Sequence, residues 1–280
     1  MNWLQAFKVK TPKHKYAINT KMLGETTSMA WSNLGYWQNN QTSYSEACRL
    51  LADHLAQSVN LNANDALLDL GCGQGASLIH WHKEYHLKTI EAVDVQKECV
   101  DLIRRLNPKI NAIHCASFIN LKDIHFQNKF DVILCIDAAY HSNLNSFIDS
   151  TKLVLNSKGR LGFHYLILNE KFKKLNSLQK LKYRYLLKCA DVNLDDLMYE
   201  NEMRNTLASY GFNRINITNL SEKVFKGFSN YISIRNLQNK QNKLENPNER
   251  LDAFKIKMTA KLCEKLYRDG LVDYVEVIVQ

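Results

Sequence analysis

The chain has 280 residues, 45% of them hydrophobic, enough to bury a substantial core in one enlarged domain, which excludes a disordered protein. Seven cysteines at 48, 72, 99, 115, 135, 189 and 263 include no CxxC pair, which argues against a disulfide framework or a zinc knuckle. The formal net charge of +9 invites a nucleic-acid partner, but where the charge sits matters more than its total.

The opening stretch, MNWLQAFKVKTPKHK, carries Lys8, Lys10, Lys13 and Lys15 and has neither an h-region nor a small-residue cleavage site. No apolar run approaches the roughly 18 residues needed to span a bilayer, so a cytoplasmic location is expected. Ser43-Tyr-Ser-Glu46 has the form of a capping box, and Tyr44, Ala47, Leu51 and Leu55 then fall on one face, which predicts a helix over about 43–58. Residues 1–60 thus read as an N-terminal helical cap. A first strand over 66–70 runs into a glycine loop and a helix. There follow a strand over 89–95, a helix near 97–106, strands over 111–115 and 130–136, a helix over 144–155 and a strand over 160–166.

Next comes a segment holding Lys171, Lys173, Lys174, Lys180, Lys182, Arg184 and Lys188 without an acid, with Phe172, Leu175, Leu178, Leu181 and Tyr185 at helical spacing. It reads as an amphipathic basic helix, open to three uses: packing on the core, a substrate lid, or a peripheral membrane contact. A helix near 195–210, a strand over 213–218 and a closing strand over 274–279 complete the order. Between those strands, 236–249 is a polar run predicting a surface excursion, and 251–267 is helical, with Gly270 as its C-cap. Strands alternating with helices predict an α/β fold, a Rossmann-like, doubly wound, mostly parallel sheet with helices on both faces. The expected units are a binding core over 61–168, a basic helical insertion or lid over 169–210, and C-terminal strands over 211–280.

The most informative stretch is Leu67-Leu68-Asp69-Leu70-Gly71-Cys72-Gly73-Gln74-Gly75-Ala76. Its glycines allow the tight turn and close backbone approach that a nucleotide-like cofactor needs at a helix N-terminus. Gly71, Gly73 and Ala76 also satisfy a loose dinucleotide pattern, but Asp69 would repel a pyrophosphate. It suits instead a cofactor carrying an ammonium and a sulfonium, S-adenosyl-L-methionine. In an open parallel sheet, ligands sit beyond the carboxyl ends of the strands. Asp94, 23 positions after Gly71, ends the second strand where a carboxylate can accept both ribose hydroxyls, with Val95 beside it. Ser117 and Phe118, after the third strand, are candidates for the adenine, and Ile136 for the cleft wall at the fourth.

Beyond this loop the sequence resembles class I S-adenosylmethionine-dependent methyltransferases of the small-molecule branch that includes rebeccamycin, tocopherol and sterol methyltransferases. Asn33-Leu34-Gly35-Tyr36-Trp37 is similar to that branch's N-terminal element. Phe130 to Ile133 with Ala139-Tyr140-His141 is similar to its fourth-strand motif, and Tyr210-Gly211-Phe212 to its turn before the sixth strand. The resemblance covers roughly 30–280 and implies a seven-stranded sheet with one antiparallel strand. It also implies that Tyr36 lies over the cofactor and that Trp37 lines the acceptor pocket. Two departures stand out. Cys115-Ala116-Ser117 replaces the acidic residue that usually binds adenine, and Asn156-Ser157-Lys158-Gly159 replaces a proline-glycine turn.

Methyl transfer is an in-line displacement, so the protein mainly aligns a nucleophile and removes its proton. His141, after the fourth strand, is the candidate base, a residue type that titrates near neutral pH. Asp137 is expected to orient it or bind substrate, with Tyr140 in the same turn, while His164 and Tyr165 are candidates to face the acceptor. His82 and His86 share a helical face at i,i+4 as metal ligands often do, but the HExxH order is not met and no metal is expected. The Asp/Asn-Pro-Pro-aromatic turn of base-amine methyltransferases is absent at 136–140, and so is a Pro-Cys nucleophile. The reading is methyl transfer to a small hydrophobic or natural-product-like acceptor, at oxygen ahead of carbon or nitrogen. The alternatives are an inactive cofactor-binding protein, a dinucleotide-dependent oxidoreductase, or an RNA methyltransferase using the basic surface.

Overall fold

A computed structural model describes residues 19–106, 109–238 and 247–280. The basic N-terminal stretch and most of the polar run after 236 lie outside them. In chain order the elements are Tyr44–Ser58 (α1), Ala66–Leu70 (β1), Ala76–Glu84 (α2), Thr89–Asp94 (β2), Lys97–Leu106 (α3), Ala112–Cys115 (β3) and Phe130–Cys135 (β4). They continue with Leu144–Val154 (α4), Leu155–Leu168 (β5), Ser177–Lys188 (α5), Glu200–Ser209 (α6), Ile215–Asn219 (β6), Gly227–Gln238 (α7), Pro247–Asp269 (α8) and Val272–Val279 (β7).

The sheet has seven strands in the order β3-β2-β1-β4-β5-β7-β6. Six run in one direction, and β7 inserts antiparallel between β5 and β6, as the resemblance implied. Alternation along β1 shows why the central strands read as unbroken apolar runs. Leu68 and Leu70 enter one buried cluster with Ile133, Phe147 and Phe163, while Leu67 enters a second with Trp81, Val100 and Val132. Both faces of the sheet are covered, so both parities must be apolar. Asp69 has the parity of Leu67 and is likewise buried, one residue before the strand ends, where Trp81 of the second cluster donates to its carboxylate.

Local chemistry sets the helix ends. The Ser43 side chain accepts from the Glu46 amide at 3.3 Å to start α1, and Asn143 caps α4 by accepting from Asn145 and Ser146. Gly270, at φ +58°, closes α8.

Three expectations change. The strand expected over 160–166 runs from Leu155 to Leu168, because β7 gives its second half a partner through Leu168↔Val272. The helix expected over 195–210 is divided into a 3-10 turn, Leu194–Asp196, and α6. The excursion after β6 is not merely polar: a π turn over Glu222–Lys226 leads into α7, which buries Phe228 and Ile232. The basic helix is α5, but its packing face differs from the expected stripe. Phe172 is buried ahead of it and Tyr183 and Leu187 point inward, while Leu178, Leu181 and Tyr185 face outward. Both stripes are apolar at helical spacing, so periodicity alone could not choose between them.

Candidate active site

A cleft of about 340 Å³ opens at the carboxyl ends of β1, β2 and β4. Its floor is the glycine loop. Gly71, Gly73 and Gly75 have φ of +70°, +54° and +84°, a region costly for side-chain-bearing residues. The Gly71 amide donates to the Val93 carbonyl, tying the loop to β2. Gly75 does not border the cleft. It caps α2, and a Cβ there would stand 2.5 Å from Met29 Cε. Gly73 lies under Ser32, and the segment Ala30-Trp31-Ser32-Asn33 walls the cleft over the loop. Asn33 opens the N-terminal element that carries the resemblance, whereas Ala30, Trp31 and Ser32 offer no motif in the sequence.

Asp94 Oδ2 accepts from the Gly73 amide and Oδ1 from the Gln96 amide, both at 2.8 Å, which fixes the carboxylate plane on the cleft wall. Asp69 accepts from Trp81 Nε1 at 2.7 Å. Burial lifts its carboxyl to about 6, helped by repulsion from Asp94 and opposed by hydrogen bonds from Ser77 and Trp81. Cys72, Val95, Ser117, Phe118 and Ile136 all line the cleft, and Phe118 is held edge-on by Phe147.

Asp137 and His141 border the opposite part of the cleft. Asp137 adopts φ +53°, and its carboxylate accepts from the Leu34 amide, the Tyr140 hydroxyl and the Tyr274 hydroxyl at 2.8–2.9 Å. Burial raises this carboxyl, against those hydrogen bonds and the nearby His164. The expected contact between Asp137 and His141 is not formed, because that carboxylate is engaged by phenols and backbone. His141 Nδ1 instead lies 3.1 Å from the Asp191 carbonyl, just past α5. A carbonyl only accepts, so Nδ1 carries the hydrogen and Nε2 is the basic nitrogen.

The remaining candidates stand back from the cleft. Tyr140 acts through its bond to Asp137. Tyr36 stacks on His54, and Trp37 is buried against Tyr231 and donates to the Leu34 carbonyl, so neither ring borders the cleft as expected. His164 is buried with Nδ1 accepting from the Asp137 amide, and Tyr165 donates to the Ser142 carbonyl. His82 meets the Leu87 carbonyl and His80 meets Asp53, and the described residues contain no group suited to a metal.

The charge of the cleft is its most diagnostic property. Among the described residues, Asp69, Asp94, Asp137 and Asp191 line it and no lysine or arginine does, in a chain of net charge +9. Such walls favour a sulfonium and an ammonium and disfavour a pyrophosphate. The glycine floor, the two carboxylates beside it and the cavity volume fit S-adenosylmethionine. The fold and the cleft together define a class I S-adenosylmethionine-dependent methyltransferase.

Comparison with known proteins narrows the class. Residues 15–277 match the family described as mycolic acid cyclopropane synthetase, and the chain belongs to that family. Erythromycin 3''-O-methyltransferase of Saccharopolyspora erythraea is 29% identical over 119 residues, 41% of this chain and 39% of that relative, so the match spans well under half of the relative. Among solved structures, the mycolic acid cyclopropane synthase CmaA1, complexed with SAH and CTAB, is similar with a TM-score of 0.75 at 16% identity, covering 98% of each chain. A geranyl diphosphate C-methyltransferase of Streptomyces coelicolor is similar with a TM-score of 0.62 at 15% identity, covering 96% of this chain and 99% of that one.

Proposed function

We propose that this protein methylates a small hydrophobic acceptor that carries no phosphate, at oxygen, with His141 as base. The aspartate-lined cleft, with no lysine or arginine among its described residues, carries this reading: it suits the cationic cofactor and gives an anionic acceptor such as a diphosphate no counter-charge. S-adenosylmethionine, when bound, supplies a methyl carbon already activated by its sulfonium. Asp94 holds the ribose hydroxyls, Asp69 faces the ammonium end, and Ser117 and Phe118 flank the adenine. Asp137 shapes the acceptor side by fixing Tyr140, Tyr274 and the Leu34 backbone around one carboxylate. His141, oriented by the Asp191 carbonyl, receives the acceptor's proton at Nε2.

A carbon acceptor is the second reading, favoured by the family match and by neighbours named for cyclopropane synthesis and C-methylation. Both readings are tested by incubating the protein with labelled S-adenosylmethionine and a panel of alcohols, phenols and unsaturated acyl compounds. Oxygen transfer predicts methyl ethers, and a turnover that falls at least about a hundredfold in His141→Ala, at the lower end of general-base contributions, with S-adenosylhomocysteine affinity retained. Wild-type turnover in that variant removes His141 as base. Binding of S-adenosylhomocysteine with no transfer to any acceptor leaves a cofactor-binding protein without catalysis.

A further inference from the structure

Helix α5 turns an apolar stripe away from the protein. Leu178, Leu181 and Tyr185 are 71%, 46% and 64% exposed, whereas Tyr183 and Leu187 are buried in the core. At about 100° per residue, the three exposed side chains share one arc roughly opposite the buried pair. Single exposed leucines are ordinary, but three large apolar groups aligned on one helix mark a contact surface. Lys182 and Lys188 flank the stripe on either side, Lys174 lies just before the helix, and Lys180 falls on the far side, within about 20° of Leu187. All four are exposed and form no ion pair among the described residues, while Lys173 and Arg184 are matched by Glu170 and Asp195. No acidic residue occurs from 171 to 190.

We propose that α5 docks on an anionic lipid bilayer. Leu178, Leu181 and Tyr185 enter the boundary between headgroups and acyl chains, and Lys182 and Lys188 meet the anionic headgroups. Tyrosine suits that depth, with an apolar ring and a wet hydroxyl, and lysines can extend their stems along the apolar stripe to reach headgroups. The pattern fits a protein partner less well, because lysine is depleted at protein interfaces. It fits RNA less well too, because the two leucines of the stripe offer phosphates and bases nothing to bind and leave Tyr185 as its one stacking ring.

The surface adjoins the cleft. Asp191 follows α5 by three residues, lines the cleft and carries the carbonyl that meets His141. Docking of α5 therefore sets the cleft beside the bilayer. The idea that a hydrophobic acceptor is drawn from that bilayer rests on the function proposed above; the docking itself does not.

Vesicle flotation tests it. Wild type should float with equimolar phosphatidylcholine and phosphatidylglycerol vesicles, stay behind with phosphatidylcholine alone, and bind less as salt rises. The variants L178S/L181S/Y185S and K182E/K188E should each bind at least about tenfold more weakly, since a surface lysine contributes about fivefold on its own. Both should melt like wild type, and because the fold control is melting, failure of the proposed methyl transfer leaves the flotation result interpretable. The proposal is overturned if wild type ignores the anionic vesicles or if either variant floats as well as wild type. Retention on poly(U) RNA that survives the serine substitutions, with no flotation, overturns it in favour of a nucleic-acid surface.

Discussion

Asp94→Ala is the most decisive perturbation, because this carboxylate serves the loop and, in the proposed function, the cofactor. A hydrogen bond to a charged acceptor contributes about 1.5–3 kcal/mol. Losing the ribose contact should therefore weaken S-adenosylhomocysteine binding by roughly tenfold to 150-fold. The same change removes the acceptor for the Gly73 and Gln96 amides, each 2.8 Å away, and should lower stability by about 1–3 kcal/mol. Asp94→Asn separates the two effects: it keeps one acceptor oxygen for the loop and removes the negative charge. Calorimetric titration with S-adenosylhomocysteine, run beside urea unfolding, reads both. Affinity within twofold of wild type in Asp94→Ala, together with reduced stability, would confine Asp94 to loop support and refute the ribose assignment.

Other variants probe the rest of the frame. Burial holds the Asp69 carboxyl at about 6, above its unfolded value near 3.9, so its contribution to stability is fully present below pH 4 and is lost as pH rises through 6. Asp69→Asn should accordingly lose less stability than wild type between pH 4 and pH 7, by about 2–3 kcal/mol, while binding S-adenosylhomocysteine more weakly; parallel urea curves showing the same pH dependence in both proteins would contradict this. Gly75→Ala places a Cβ 2.5 Å from Met29 Cε and 2.8 Å from Ile103 Cγ1 at φ +84°, and should destabilise by about 1–3 kcal/mol, visible as a lower Tm. Glu276 is buried 2.7 Å from His54 and 3.8 Å from His164, and against desolvation these two histidines hold its carboxyl at about 2. Glu276→Ala should remove about 3–5 kcal/mol. The hydrogen bond to Glu276 raises His54, so its share is full below about pH 6.5 and is lost as pH rises through the raised value. The stability gap should therefore be wider at pH 6 than at pH 9, and a gap that does not vary with pH would count against the pair.

Much of the parallel half of the sheet was legible because its strands are buried on both faces and its loops are short. Ala66–Leu70 and Lys97–Leu106 fall where apolar runs and helical spacing put them. The glycine loop, Asp69 and Asp94 were readable because their spacing follows strand and turn geometry, which is local. Legibility fell where two patterns competed or where tertiary context decided. On α5, Leu178/Leu181/Tyr185 and Tyr183/Leu187 are both helical stripes, and only packing selects one. Asp137 lies near His141 in sequence, yet Leu34 and Tyr274, 103 and 137 positions away, capture its carboxylate. Trp37 carried an aromatic signal that the structure uses for packing against Tyr231. Ala30, Trp31 and Ser32 carried none, although those residues wall the cleft.

The position of β7 has a consequence for how the protein is made. It is the last of the seven strands to be synthesised, yet it pairs with two others, along Leu161↔Val279 to Leu168↔Val272 on one side and Ile215↔Val279 to Asn219↔Val275 on the other. Until it emerges from the ribosome, β5 has a bare hydrogen-bonding edge flanked by residues destined for the core, and β6 has no place in the sheet. A nascent chain in that state offers a template for pairing with its neighbours, the condition under which chains aggregate or swap strands. A frameshift or nonsense lesion just ahead of residue 272 would thus dissolve two strand interfaces at once, and would be felt first as failed production of soluble protein.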